Sequence, residues 1–73
     1  MSGSVYKVVE LVGTSTESWE AAARSALDAA AEHLHDLRVA EVVRADLRLA
    51  DNKVVEYRVK MNVSFKYHAD LDE

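Results

Sequence analysis

The chain has no cysteine, no proline and only two glycines, and aromatic side chains make up 7% of its 73 residues. Without cysteine, disulfides and thiolate metal sites are excluded together. No run of about 18 apolar residues occurs, so nothing reads as a membrane-spanning helix. Positive charge is scarce as well: nine Lys and Arg stand against thirteen Asp and Glu, a net charge of −4. Without a Lys/Arg cluster the chain lacks the basic footprint that nucleic-acid binding requires. Its opening, Met1-Ser2-Gly3-Ser4-Val5, has no charged region followed by an apolar core. No signal peptide is therefore expected, and the expectation is a soluble, cytoplasmic protein.

What the chain does have is apolar content, at 49%. A single domain of this length buries only about 60% of the surface that its unfolded form exposes. Ordering each residue costs about 1.5 kcal/mol, so the balance for a lone domain falls near zero. With disulfides and thiolate metal sites excluded, oligomerisation becomes the favoured stabiliser. One domain is expected over residues 1–73, ordered from about 4 to 68, with a short acidic tail at 69–73.

Val5 to Val12 is rich in β-branched residues and apolar on both faces apart from Lys7 and Glu10, which reads as a covered strand ended by Gly13. A helix follows. Thr14 with Glu17 fits a capping box, and Ser15 is an equally good cap one residue later. Trp19, Ala22, Ala23, Ala26, Ala30, Leu34 and Leu37 fall at spacings of three and four and give one apolar stripe, in which Trp19 reads as core packing. Because most of that stripe is alanine, the helix can approach a sheet closely.

From Arg38 onward the period changes to two. Val39, Val43, Ala45, Leu47 and Leu49 share one face of a second strand, with Glu41 as a carboxylate out of place among them. In a third strand Val55, Tyr57, Val59, Met61, Val63, Phe65 and Tyr67 alternate with polar residues. A three-residue loop, Asp51 to Lys53, would pair Ala50 with Val54 and match the apolar faces. It would also set Asp46 opposite Arg58 and Arg48 opposite Glu56, two opposite-charge pairs, and leave Arg44 facing Lys60. The result is an α+β unit in β-α-β-β order whose exposed sheet edges invite pairing with another copy. A monomer with edges blunted by Lys and Arg is the alternative.

The segment Val5-Tyr6-Lys7-Val8-Val9-Glu10-Leu11-Val12-Gly13-Thr14-Ser15, followed by Ser18-Trp19-Glu20-Ala21-Ala22, resembles the opening of the dodecins. Arg38-Val39-Ala40-Glu41-Val42-Val43 and Tyr57-Arg58-Val59-Lys60-Met61-Asn62-Val63-Ser64-Phe65 resemble that family's second and third strands. The likeness covers about residues 5 to 67. It implies a three-stranded antiparallel sheet wrapped around one helix, with twelve copies forming a hollow spherical homododecamer. Most dodecins bind and store flavins such as riboflavin, FMN or FAD. A tryptophan on the second strand stacks on the flavin ring, and a glutamine on the third strand contacts it. The matching positions here are Val39 and Arg58, and Val39 offers no ring face. The combination Arg38-Val39-Ala40 with Tyr57-Arg58 is similar to a branch of the family that binds calcium instead, which implies an ion-storing shell.

Calcium takes six to eight oxygen ligands, and no EF-hand loop occurs. A site would be assembled from separated residues. Glu17 and Glu20, with the Thr14 and Ser15 hydroxyls, form one candidate group, and Asp46 with Glu56 another. Each has an ordinary structural use, at a helix dipole or in ion pairs with arginines. Glu41 reads as a structural carboxylate at a subunit contact with Arg38 or Lys7, or as part of an ion path. His33 and His35, two apart on the expected helix, point to different sides, and His68 lies in the tail. No cysteine nucleophile, Ser-His-acid grouping or phosphate-cradling glycine loop is present, so no enzyme is expected.

Overall fold

The computed structural model describes residues 3–67, and it places β1 at Tyr6–Ser15, α1 at Trp19–Ala31, β2 at Leu37–Ala50 and β3 at Lys53–Lys66. The three strands form one antiparallel sheet in the order β1-β3-β2. The β-α-β-β order and the alternation of β3 match the expectation: Val59, Met61 and Val63 are 2%, 1% and 1% exposed. With Ala22 they form the buried core, flanked by Val9, Leu11, Ala23, Ala26, Leu27 and Leu37. The tail at 69–73 and His68 lie outside the described residues.

Gly13 does not end β1. The strand runs two residues further, because the helix crosses it there and a side chain at Gly13 would collide with the Ala22 carbonyl oxygen. Glycine thus permits a close helix–strand approach instead of marking a turn. With Thr14 and Ser15 committed to the sheet, the cap moves to Ser18, whose hydroxyl accepts from Ala21 N–H at 2.9 Å. Ser15 instead accepts from Glu17 N–H at 2.9 Å, a local turn that leads the chain into the helix.

The helix also ends earlier than its stripe suggests. His33 and Leu34 N–H groups both reach back to the Ala30 carbonyl, at 3.0 and 2.9 Å. Asp36 then takes a left-handed backbone (φ 59°) that redirects the chain. Leu37 belongs to β2, and His33 and His35 lie in the connection, not on the helix. Trp19 is likewise not core: it is 42% exposed at the rim of the helix layer. There it meets Tyr57 edge-on at 5.3 Å between ring centroids, and its indole N–H donates to the Asp46 carbonyl at 3.2 Å.

The β2–β3 hairpin has the pairings that the charges dictate, Asp46 opposite Arg58 and Arg48 opposite Glu56. The loop, however, is two residues long. Ala50 pairs with Lys53, and Asp51 and Asn52 both adopt positive φ (54° and 64°), as tight hairpin turns require. A bulge between Arg48 and Leu49 absorbs the difference. Two more irregularities, at Leu37/Val39 and Val42/Arg44, shift the phase of β2. As a result Ala40, Val42, Ala45 and Leu47 share the helix side with Val63, Met61, Val59 and Tyr57. Val39, Glu41, Arg44 and Asp46 lie on the far side. Glu41 is therefore no misfit: it stands on the polar face of the sheet, not among apolar side chains.

The helix packs on β1 and β3 and leaves β2 nearly bare. Val42, Leu47 and Leu49 are 56%, 40% and 60% exposed. The chain exposes 5471 Å², whereas a compact monomer of 8.1 kDa would expose about 4500 Å².

Candidate functional site

The polar side chains of the sheet gather on the face turned away from the helix, where directly paired residues form rows across three strands. The pairings set Val8, Ser64 and Val39 in one row, and Glu10, Asn62 and Glu41 in the next. Val12, Lys60 and Arg44 follow, then Thr14, Arg58 and Asp46. An acidic row thus lies beside a basic one, and a mixed row follows. Alternation in β3 places this face, while the phase shift in β2 brings Glu41, Arg44 and Asp46 onto it together.

Arg58 is fixed by a bidentate pair: its Nε and Nη2 donate to the two Asp46 carboxylate oxygens at 2.8 and 3.1 Å. That hydrogen bonding holds the Asp46 carboxyl below its usual range and raises the Arg58 guanidinium further. The nearby positive charge of Arg44 adds to the lowering at Asp46. Arg48 Nε donates to Glu56 Oε1 at 2.9 Å. Lys60 Nζ approaches Glu10 Oε2 at 3.3 Å. Glu10, on the neighbouring β1, thus eases the Arg44–Lys60 clash at the lysine end.

Val39 is 62% exposed near the start of β2 and lines a shallow groove of about 170 Å³ with Leu27, Leu37, Arg38, Ala40 and Val63. Its neighbour Ser64 donates to the Val39 carbonyl at 3.4 Å. Arg58 lies six positions along β3 from Ser64, about 20 Å at the usual strand rise. One chain therefore does not bring Val39 and Arg58 to the same small molecule.

The carboxylates picked from the sequence are also separated. Asp46 and Glu56 each serve an arginine. Glu20 sits in the first turn of the helix, where it complements the dipole, and Glu17 lies exposed just before the Ser18 cap. Among the described residues, no three His, Asp or Glu side chains gather where they could hold a metal ion. Sequence places Lys60 opposite Arg44 but does not bring Glu10 to it, as the structure does. The signal that would have found this contact is the pairing of β1 with β3, a long-range register that strand periodicity does not contain.

Among the described residues no helix is long and apolar enough to cross a membrane. The dodecin family model matches residues 5–68. Calcium dodecin of Mycobacterium tuberculosis is 44% identical over 63 residues, covering 86% of this chain and 89% of that protein. Its solved structure, described as having a novel calcium-binding site, superposes with a TM-score of 0.79 at 39% identity, covering 94% of this chain and 99% of that one. A dodecin of Thermus thermophilus is 44% identical over 64 residues, covering 88% and 93% of the two chains. The structure of a Streptomyces davaonensis dodecin matches with a TM-score of 0.86 at 34% identity, covering 92% and 98%. With nearly its whole length matched in sequence and in fold, the chain belongs to the dodecin family.

Proposed function

We propose that this dodecin is a non-catalytic shell of twelve copies that binds and stores calcium in the cytoplasm, without nucleic-acid or membrane partners. The likeness to calcium dodecin points to the ion. The observation in this chain that carries the reading is the pair of substituted flavin positions. Val39 presents no ring on which a flavin could stack, and Arg58 is already engaged by both Asp46 oxygens. Losing an aromatic stack removes about 1–3 kcal/mol per base-sized ring.

An ion of six to eight oxygen ligands needs more than one copy of this chain, since no single copy gathers three acids among its described residues. Glu17 and Glu20 are the candidates whose carboxylates are not held by an arginine, and symmetry-related copies would bring such pairs together. Asp46 and Glu56 would join only by giving up Arg58 and Arg48. Assembly itself follows from the bare β2 edge, where exposed Val42, Leu47 and Leu49 seek cover.

Calorimetric titration of the metal-stripped particle tests this reading. Saturable calcium uptake is expected, with no heat from riboflavin or FMN, and Glu17→Gln with Glu20→Gln should weaken it by about tenfold, or ~1.4 kcal/mol. Flavin uptake with quenched flavin fluorescence and no calcium response would overturn it. That outcome would favour the second reading, a flavin-storing dodecin with an altered pocket, for which the apolar groove beside Val39 is the supporting feature. Silence toward both ligands would leave a purely structural assembly.

A further inference from the structure

Tyr67 is followed by His68-Ala69-Asp70-Leu71-Asp72-Glu73, in which three acidic side chains accompany a single large aliphatic one, Leu71. The point from which this segment leaves the sheet is fixed. Tyr67 N–H donates to the Val5 carbonyl at 2.8 Å, and Lys7 Nζ lies 4.8 Å from the centre of the Tyr67 ring. Beside it, Lys66 N–H donates to the Asp36 carbonyl at 3.1 Å, which ties the end of β3 to the residue before β2. The apolar groove of about 170 Å³ lies at this same end, between Leu27 of the helix, Val63 of β3 and the first residues of β2. Cavities of about 150 Å³ hold a benzene-sized group, so the groove has room for a leucine side chain. Arg38 is the charged member of its lining, with 44% of its side chain exposed and Asp36 at 3.9 Å. A guanidinium carries five N–H donors, so Arg38 can engage a further carboxylate.

We propose that residues 68–73 turn back on their own copy and occupy this groove, with Leu71 between Leu27 and Val63 and an acid beside it on Arg38. The reach is sufficient. Tyr67 lies four positions beyond Val63, about 13 Å at the usual strand rise, and six extended residues span about 20 Å. Apolar and acidic groups of the segment thus meet apolar and basic groups of the groove. A short tether also holds its end at an effective concentration of about millimolar, ahead of a dilute free ligand. An apolar molecule entering beside Val39 would first have to displace Leu71. The inference stands apart from calcium uptake and is read by a different measurement.

The chain lacks cysteine, so a pair of introduced cysteines reports the contact without background. In the assembled full-length protein, Glu73→Cys is combined with either Ala40→Cys or Val8→Cys and oxidised with glutathione disulfide. Ala40 and Val8 are both exposed, so neither change disturbs the core. Ala40 pairs with Val63 on the helix side, whereas Val8 pairs with the adjacent Ser64 on the opposite face. An undocked segment reaches both alike. A docked one should close the Ala40 disulfide within one chain about tenfold faster than the Val8 disulfide. Leu71→Asp should bring the two rates within about twofold, and Arg38→Gln should narrow the gap by about threefold. Equal rates without those substitutions, or a ratio that survives Leu71→Asp, would overturn the proposal. Disulfides formed mainly between chains would assign the groove to a second copy and overturn it as well.

Discussion

The sheet under the helix and the sheet beyond it are built from similar side chains, yet only one of them is covered. Over β1 and β3, Ala22 and Gly13 let the helix sit close, and Val59, Met61 and Val63 vanish from solvent. Along β2 and at the hairpin end, Val42, Leu47, Leu49 and Val54 stay 40–60% exposed. The covered part is the core of a protomer, whereas the bare part is apolar surface that the proposed assembly would cover with another copy. Stability in this small chain is thus divided between folding and assembly, as expected where a lone domain's balance is close to zero.

Variants can break that division or sharpen it. The largest effect is expected from Leu49→Asp, which puts a charge on the uncovered apolar edge. Light scattering should then report small species in place of the multi-copy particle, while far-UV circular dichroism keeps its mixed α+β form. A particle of unchanged mass would show that the bare edge is not an assembly surface. Met61→Ala, in the covered half, should destabilise the fold by about 2–5 kcal/mol in denaturant melts whether or not copies associate. Gly13→Ala should cost about 1–3 kcal/mol, since the added methyl meets helix backbone that cannot rotate away. Arg48→Gln, at an exposed pair, should cost only about 0.2–1 kcal/mol and less in high salt.

The Asp46–Arg58 pair adds a pH dependence. Asp46 titrates below its ordinary value in the folded chain, so the folded state binds fewer protons there than the unfolded one. The stabilisation is present above the unfolded value, near pH 4, and is lost as pH falls through the lower folded value. Asp46→Asn should therefore lower stability at neutral pH, and the gap between variant and parent should close in acid. A gap that stayed constant as the pH is lowered from neutral into the acid unfolding range would assign the effect to packing instead of charge.

How much of this was legible from sequence depends on whether the signal was local. The alternation of β3 was legible, because every second residue enters one core. The hairpin register followed from charge: Asp46 and Arg48 have favourable partners in only one alignment, and the structure uses it. The loop was misread because a bulge at Arg48/Leu49 inserts a residue without any special side chain, although Asp51 and Asn52 are residue types that tolerate positive φ. The same kind of shift at Val42/Arg44 moved Glu41 from an apparent misfit to the polar face. Gly13 looked like a strand end because the helix that presses on it is distant in the alternation pattern. For the site, Val39, Arg58, Asp46 and Glu56 could be named from sequence, but their separation within one chain could not. That separation is set by position along β3 and by strand order.

The placement of Trp19 has an optical consequence. It is the chain's one tryptophan, and it sits at the seam between the covered and bare regions, against Tyr57 and bonded to the Asp46 carbonyl. Its indole therefore serves as a built-in fluorophore for that seam. Its emission should lie toward the red in separated chains, where water reaches the ring, and move to the blue as neighbouring copies cover β2. Assembly can then be followed in real time without a label.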